Sequence, residues 1–381
     1  MISAISRKQL NFRIINMVIP WGLYALENVV ENVRRDGEVI LLTLDLESGQ
    51  TVSRVGLWER DVYVYGCRFR VGCIGGVWTK EEYRGRGYAT RLLESAVKRT
   101  WEDGGDVLLV SGDRGLYRRL NCVAAAPYHL FKISRMDAEK FLKGAVEPVE
   151  YRDGDLSDLT RIYQMEPIRY HRAIEHFRCD VDKRHWWPLW PGWFHVKRNT
   201  YMLKFGSQSL AYMVIQPFAQ GGLSGKIAAV CEYAGSRNAV VEAILWIFKK
   251  YGVEKLLIWV SPFDVELQYL LNKVGLKSEI EDLPGHTIRM VDFPRLCEKI
   301  RPYFEAHLGC RKAELLKFKR ENDVFTVEFQ GQRLQFDGKM MVRLVFGSVE
   351  EAVEMPDGGE LATMLRKVFP IPFPWPGLEA F

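Results

Sequence analysis

A Gly-rich turn between an apolar strand and an amphipathic helix constrains this 381-residue chain more than any other feature. The run Val71-Gly72-Cys73-Ile74-Gly75-Gly76-Val77-Trp78 reads as a strand. Tyr83-Arg84-Gly85-Arg86-Gly87-Tyr88-Ala89-Thr90 follows it. Ala89, Leu92, Leu93, Ala96 and Val97 then recur at helical spacing. Such a turn aims successive backbone N–H groups at one point, in front of the positive end of a helix dipole. That arrangement suits a pyrophosphate. Gly85 and Gly87 permit positive φ and close backbone approach, and Arg84 and Arg86 add charge for phosphate oxygens. No Gly-Lys-Ser/Thr follows, so this is not a P-loop, and the spacing is not G-x-G-x-x-G. The plainer alternative is a solvated basic turn capping a surface helix.

Length implies two or three domains. The formal net charge of +5 fits an anionic cofactor and does not by itself argue for nucleic acid. Seven scattered cysteines without a C-x-x-C pair read as a reduced, cytoplasmic chain with no zinc site. The apolar stretch from Ile14 to Leu26 reads as an N-terminal helix and loop, with no targeting signal. No stretch is long enough to span a membrane.

The expected fold class is mixed α/β, in three segments. Residues 1–137 hold strands at 38–47, 52–58, 62–65 and 68–78, helix 88–100, strand 106–110, helix 114–120 and strand 127–134. Residues 138–295 repeat this order: a helix from Leu156, a hairpin over 194–217, strand 227–233, helix 236–250, strand 256–260, helix 263–273 and strand 287–292. The repetition implies an internal duplication. The second turn, Tyr233-Ala234-Gly235-Ser236-Arg237-Asn238, lacks the Arg/Gly pattern, so the second copy is expected to keep the fold without a pyrophosphate cradle. Residues 296–381 read as short strands at 315–319, 324–329, 332–336 and 342–346, then helix 360–369. The tail carries Pro370, Pro372, Pro374 and Pro376 among Phe373, Trp375 and Phe381, and is expected to be docked. His185–Trp193 holds four tryptophans and reads as a packed linker, with an acceptor groove or oligomer contact as alternatives.

Arg84-x-x-Gly87-x-Ala89 resembles the acetyl-CoA motif R/Q-x-x-G-x-G/A of the GNAT acetyltransferases. The whole chain is similar to the enhanced intracellular survival (Eis) family: a catalytic GNAT domain, a degenerate second GNAT domain and a small sterol-carrier-like domain. The stretches 62–79, 83–90, 116–119 and 288–292 carry that resemblance. It implies an acetyl-CoA-dependent N-acetyltransferase acting on a primary amine of a small polyamine- or aminoglycoside-like acceptor or a lysine side chain. It also implies a homo-oligomer, commonly a hexamer. Acetyl-CoA would be held at Arg84, Gly85, Arg86, Gly87, Tyr88, Ala89 and Thr90. Backbone N–H groups near Val77, Trp78 and Thr79 would polarise the thioester. Tyr117 would be the proton donor to the leaving thiolate, and the α-carboxylate of Phe381 the base. Tyr117 as a core aromatic and Phe381 as a packed end remain the plain alternatives. Asn121-Cys122 departs from the family's Gly-aromatic pair. Cys122 as a nucleophile is disfavoured, because no His precedes His129 nearby. The rival functions are a catalytically silent CoA-binding protein and an apolar-ligand carrier. Metal and nucleic-acid partners are not expected.

Overall fold

The computed structural model describes residues 29–36, 38–141, 144–182, 198–218, 227–349, 351–356 and 359–379. The expected N-terminal helix, the Trp-rich linker and Phe381 lie outside them. Contacts divide the chain into two compact units, Met1–Trp58 with Gly75–Lys98, and Glu59–Ile74 with Arg99–Phe381. No helix among the described residues is long and apolar enough to cross a membrane.

In the first unit, β1 (Val29–Asp36), β2 (Val39–Leu46) and the start of β3 (Thr51–Val64) run antiparallel in sequence. The sequence places no strand over 29–36, and it splits β3 in two. Ile40, Leu42 and Leu44 bury one face of β2 at the two-residue period of a strand. Asp45 is buried beside them and satisfied: Asn32, Arg34, Thr43 and Thr51 all donate to it. The end of β4 (Cys67–Thr79) is fixed by Ser53, whose hydroxyl donates to the Trp78 carbonyl at 3.1 Å and lies 2.9 Å from that of Thr79. Helix α1 (Tyr88–Glu102) buries Leu92, Leu93 and Ala96, the stripe expected from sequence.

The second unit holds the rest. Residues 71–74 of β4 pair in parallel with β5 (Val107–Ser111), which leads to α2 (Gly115–Arg119) and β6 (Tyr128–Ser134). Then follow α3 (Arg135–Ala138), β7 (Glu147–Glu150), α4 (Leu156–Gln164), β8 (Ile168–Tyr170) and α5 (Ile174–Asp182). The second sheet continues with β9 (Asn199–Phe205), β10 (Gln208–Phe218), β11 (Ile227–Gly235), α6 (Arg237–Tyr251), β12 (Lys255–Val260), α7 (Val265–Lys273) and β13 (Ser278–Glu281). Its strand order is β13-β6-β12-β11-β10-β9-β7, with β11 and β12 parallel. Strand β14 (His286–Met290) pairs antiparallel with β5.

The closing strands are therefore crossed relative to the linear reading. β6, expected to end the first copy, sits between β12 and β13, while β14, expected to end the second, lies on β5. Both strands are apolar and of similar length, so periodicity does not choose between sheets.

After β14 come α8 (Phe293–Lys299), α9 (Arg301–Leu308) and α10 (Cys310–Leu315). A three-stranded sheet of β15 (Lys317–Glu321), β16 (Val324–Phe329) and β17 (Gln332–Asp337) follows, then α11 (Gly338–Phe346) and α12 (Glu360–Val368). The strand expected at 342–346 is thus a helix. Asp337 caps it, accepting the Met340 N–H at 2.8 Å. Met341, Val342 and Val345 share its buried side, a helical spacing that a short apolar run hides.

One buried carboxylate ties β5 to α8. Asp106 is fully buried and accepts the Arg70 N–H at 2.9 Å, Arg295 Nε at 2.9 Å and Lys299 Nζ at 2.6 Å. Asp106→Ala leaves a buried amide and two cations without their acceptor. It should cost about 3 kcal/mol, read as a fall in urea midpoint at unchanged slope.

Candidate active site

The turn after β4 forms as its glycines require. Gly85 has φ +79° and Gly87 φ +78°, and a Cβ at either would meet nothing within 4 Å. Both glycines face open space, so a ligand can approach the backbone there. Arg91 N–H donates to the Gly87 carbonyl at 3.0 Å, which makes Gly87 the residue that starts α1. The N–H groups of Tyr88, Ala89 and Thr90 then have no acceptor within the helix. Tyr83 and Tyr88 are buried and stacked at 6.5 Å, anchoring both ends of the turn. Arg84 and Arg86 are exposed. Arg86 packs over the Tyr83 ring at 4.9 Å, and Arg84 Nε reaches the Thr79 carbonyl at 3.3 Å. Val77 and Thr79 are half-buried, Trp78 is exposed, and Gly76 breaks the strand with φ +61°. The first unit thus holds Val77, Trp78, Thr79 and Arg84–Thr90 on one strand–turn–helix. This geometry fits a bound pyrophosphate.

Tyr117 belongs to the second unit, in α2, and is buried. Burial raises its hydroxyl above the ordinary tyrosine range, while the Arg114 guanidinium, 5.8 Å from the ring centre, pulls it back. A Cβ on Gly112 would come 3.3 Å from the ring, so the turn after β5 closes against it. Asn121 takes φ +58°. This is the left-handed region, which Gly occupies without strain and Asn tolerates better than most side chains, so the Asn at this departure from the family pattern is conformationally sound. Burial pushes the Cys122 thiol up to about 12. A thiol at that value is protonated at neutral pH and a poor nucleophile, which adds to the sequence argument against it.

The second copy's turn differs in kind. Glu166, which sequence reasoning missed, accepts the Gly235 N–H at 2.8 Å and pairs with both terminal nitrogens of Arg237 at 2.7 Å. Asp264 takes Arg237 Nε at 2.8 Å and the Tyr233 hydroxyl at 3.0 Å. A carboxylate of the chain already sits on this turn. Nothing in the sequence near Gly235 announces it, because Glu166 lies 69 residues away. Among the described residues, no group of three or more His, Cys, Asp or Glu could hold a metal.

Residues 27–124 match the model of the acetyltransferase (GNAT) domain. This part of the chain is a GNAT acetyltransferase domain, the domain of an acyltransferase. No curated protein matches the sequence. The whole chain is similar in fold to a GCN5-related N-acetyltransferase from Anabaena variabilis, at 13% identity, 88% coverage of both chains and a TM-score of 0.59. A GCN5-related N-acetyltransferase from Kribbella flavida gives 13% identity, 88% and 86% coverage and a TM-score of 0.58. Eis1 from Mycobacterium abscessus gives 14% identity, 78% and 76% coverage and a TM-score of 0.50. At these identities the likeness is one of fold.

In the native protein, iodoacetamide at pH 7.5 should modify exposed Cys310 and leave buried Cys122 intact. Peptide mass mapping checks this, and a rapidly alkylated Cys122 would return it to the candidate nucleophiles.

Proposed function

We propose that the protein transfers an acetyl group from acetyl-CoA to a primary amine. The open turn at Gly85 and Gly87, in front of the first N–H groups of α1, carries this reading. Arg84 and Arg86 add two exposed cations for the CoA phosphates. Backbone N–H groups at Val77–Thr79 polarise the thioester carbonyl.

The chemistry needs one proton removed and one supplied. An acceptor of lysine-like basicity is mostly ammonium at pH 7. The α-carboxylate of Phe381 takes that proton, directly or through water. The free amine attacks the carbonyl carbon, a C–N bond forms, and the C–S bond breaks. Tyr117 gives its proton to the departing thiolate. A hydroxyl whose affinity for its proton is raised by burial stays a donor throughout the neutral range. The acceptor class is a small polyamine- or aminoglycoside-like molecule or a lysine side chain.

The test is CoA-thiol release from acetyl-CoA by protein with an untagged C-terminus, offered aminoglycosides, polyamines and lysine peptides. Release that depends on acceptor is expected. Tyr117→Phe should lower kcat by about 10²–10⁴-fold with little change in the KM for acetyl-CoA. No loss of rate from Tyr117 ionisation should occur below pH 10.0, the ordinary tyrosine value, because the shift is upward. Wild-type rates in Tyr117→Phe would remove it from the mechanism. No release with any acceptor would remove the function.

A further inference from the structure

Chain ends fray unless something ties them down, and this one is tied at five points. Ile371 N–H donates to the Val345 carbonyl at 2.7 Å. The Tyr128 hydroxyl donates to the Phe373 carbonyl at 2.6 Å, and Trp375 Nε1 to the Cys231 carbonyl at 2.6 Å. Arg198 reaches the Gly377 carbonyl at 3.5 Å, and the Leu378 N–H donates to Glu232 Oε2 at 2.9 Å.

The Trp375 indole sits where a parallel ladder ends. β11 and β12 pair from Ile227–Lys255 to Val230–Ile258, and the next residue on each strand holds the indole. Cys231 accepts its N–H, and Trp259 stacks on it at 5.4 Å and 17°. Tyr128 meets it edge-on at 5.1 Å.

Glu232 fixes the register. Its two oxygens each accept from Arg172 at 2.8 Å, and one also takes the Tyr212 hydroxyl at 2.6 Å. The Arg172 side chain is 0% exposed and that of Glu232 6%. Gly377 has φ +54°, and a Cβ there would lie 2.0 Å from Glu232 Oε2. Leu378 is buried among Leu159, Tyr163, Phe177 and Tyr212. Apolar packing alone would hold Leu378. A buried ion pair is a poor way to add stability, and its best-attested use is to specify one arrangement. Here a single backbone N–H of the tail meets a carboxylate that cannot move, so the tail cannot slip by one residue. Leu378 lies three residues from the end, a span of at most about 11 Å. The group that a chain end has and an interior segment lacks is its α-carboxylate.

We infer that Glu232, through its pairing with Arg172, and Trp375 are positioning residues for the α-carboxylate of Phe381. The inference rests on the proposed role of that carboxylate as base. Loosening the tail should slow proton removal from the acceptor and leave the grip on acetyl-CoA alone.

Four proteins with native ends test it: wild type, Trp375→Phe, Gly377→Ala, and a chain ending at Glu379. Trp375→Phe keeps a ring against Trp259 and loses only the N–H. Thermal melts check that each is folded, and CoA release is measured with the best acceptor of the panel above. The shortened chain should lose about 100-fold in kcat. Trp375→Phe and Gly377→Ala should each lose about 5–30-fold, with the acetyl-CoA KM within about twofold, since small misplacements of a catalytic group are costly. Trp375→Phe introduced into the shortened chain should cost nothing further. Full activity of the shortened chain overturns the carboxylate as base. An inactive shortened chain beside wild-type rates for both Trp375→Phe and Gly377→Ala overturns the positioning role. A further loss from Trp375→Phe in the shortened chain also overturns it, by making the effect merely structural.

Discussion

Every backbone N–H at the start of a helix needs an acceptor, and the helix cannot provide one. The two strand–turn–helix units of this chain meet that demand differently. At Gly85–Thr90 the glycines face open space, and α1 begins at Gly87. At Gly235–Arg237 the Glu166 carboxylate is bonded to the Gly235 N–H and to the Arg237 guanidinium. The first turn therefore has room for an external anion, and the second has been given an internal one. Similar local folds thereby acquire different capacities from one side chain outside the repeated segment.

Local features were legible in the sequence. The β4–turn–α1 passage, the apolar stripe Leu92, Leu93 and Ala96, and the β11–α6–β12 succession depend on residues close together in the chain. What the sequence hid was long-range. Whether β6 joins β12 or β5 is settled by tertiary pairing, and each strand's pattern suits either neighbour. Strand β1 was hidden for a different reason, since its residues include Glu31, Arg34 and Arg35 and lack a continuous apolar face. Helix α11 was misread because five apolar or long residues in a row satisfy both periods; the N-cap Asp337 was the missed signal.

The same division holds for the candidate site. Turn residues Arg84–Thr90 were visible by spacing, and the docked tail was visible by its prolines and aromatic residues. Glu232 was visible only as a charge inside an apolar strand. Its partner Arg172 lies 60 residues earlier and its tail contact 146 residues later, so no window of sequence contains the arrangement. Buried charges recur in this molecule as long-range fasteners: Asp106 holds β5 to α8, and Glu232 holds the tail. Each binds a backbone N–H as well as a cation, which satisfies the carboxylate and fixes a register together.

The central claim is that the open turn is the acyl-CoA site and the filled turn is not. Calorimetric titration with acetyl-CoA tests it most directly, on wild type and on Gly87→Glu, which places a carboxylate and a strained φ on the first turn. The account predicts one molecule bound per chain in wild type and none in the variant. Two molecules per chain, or unchanged binding in Gly87→Glu, would contradict it.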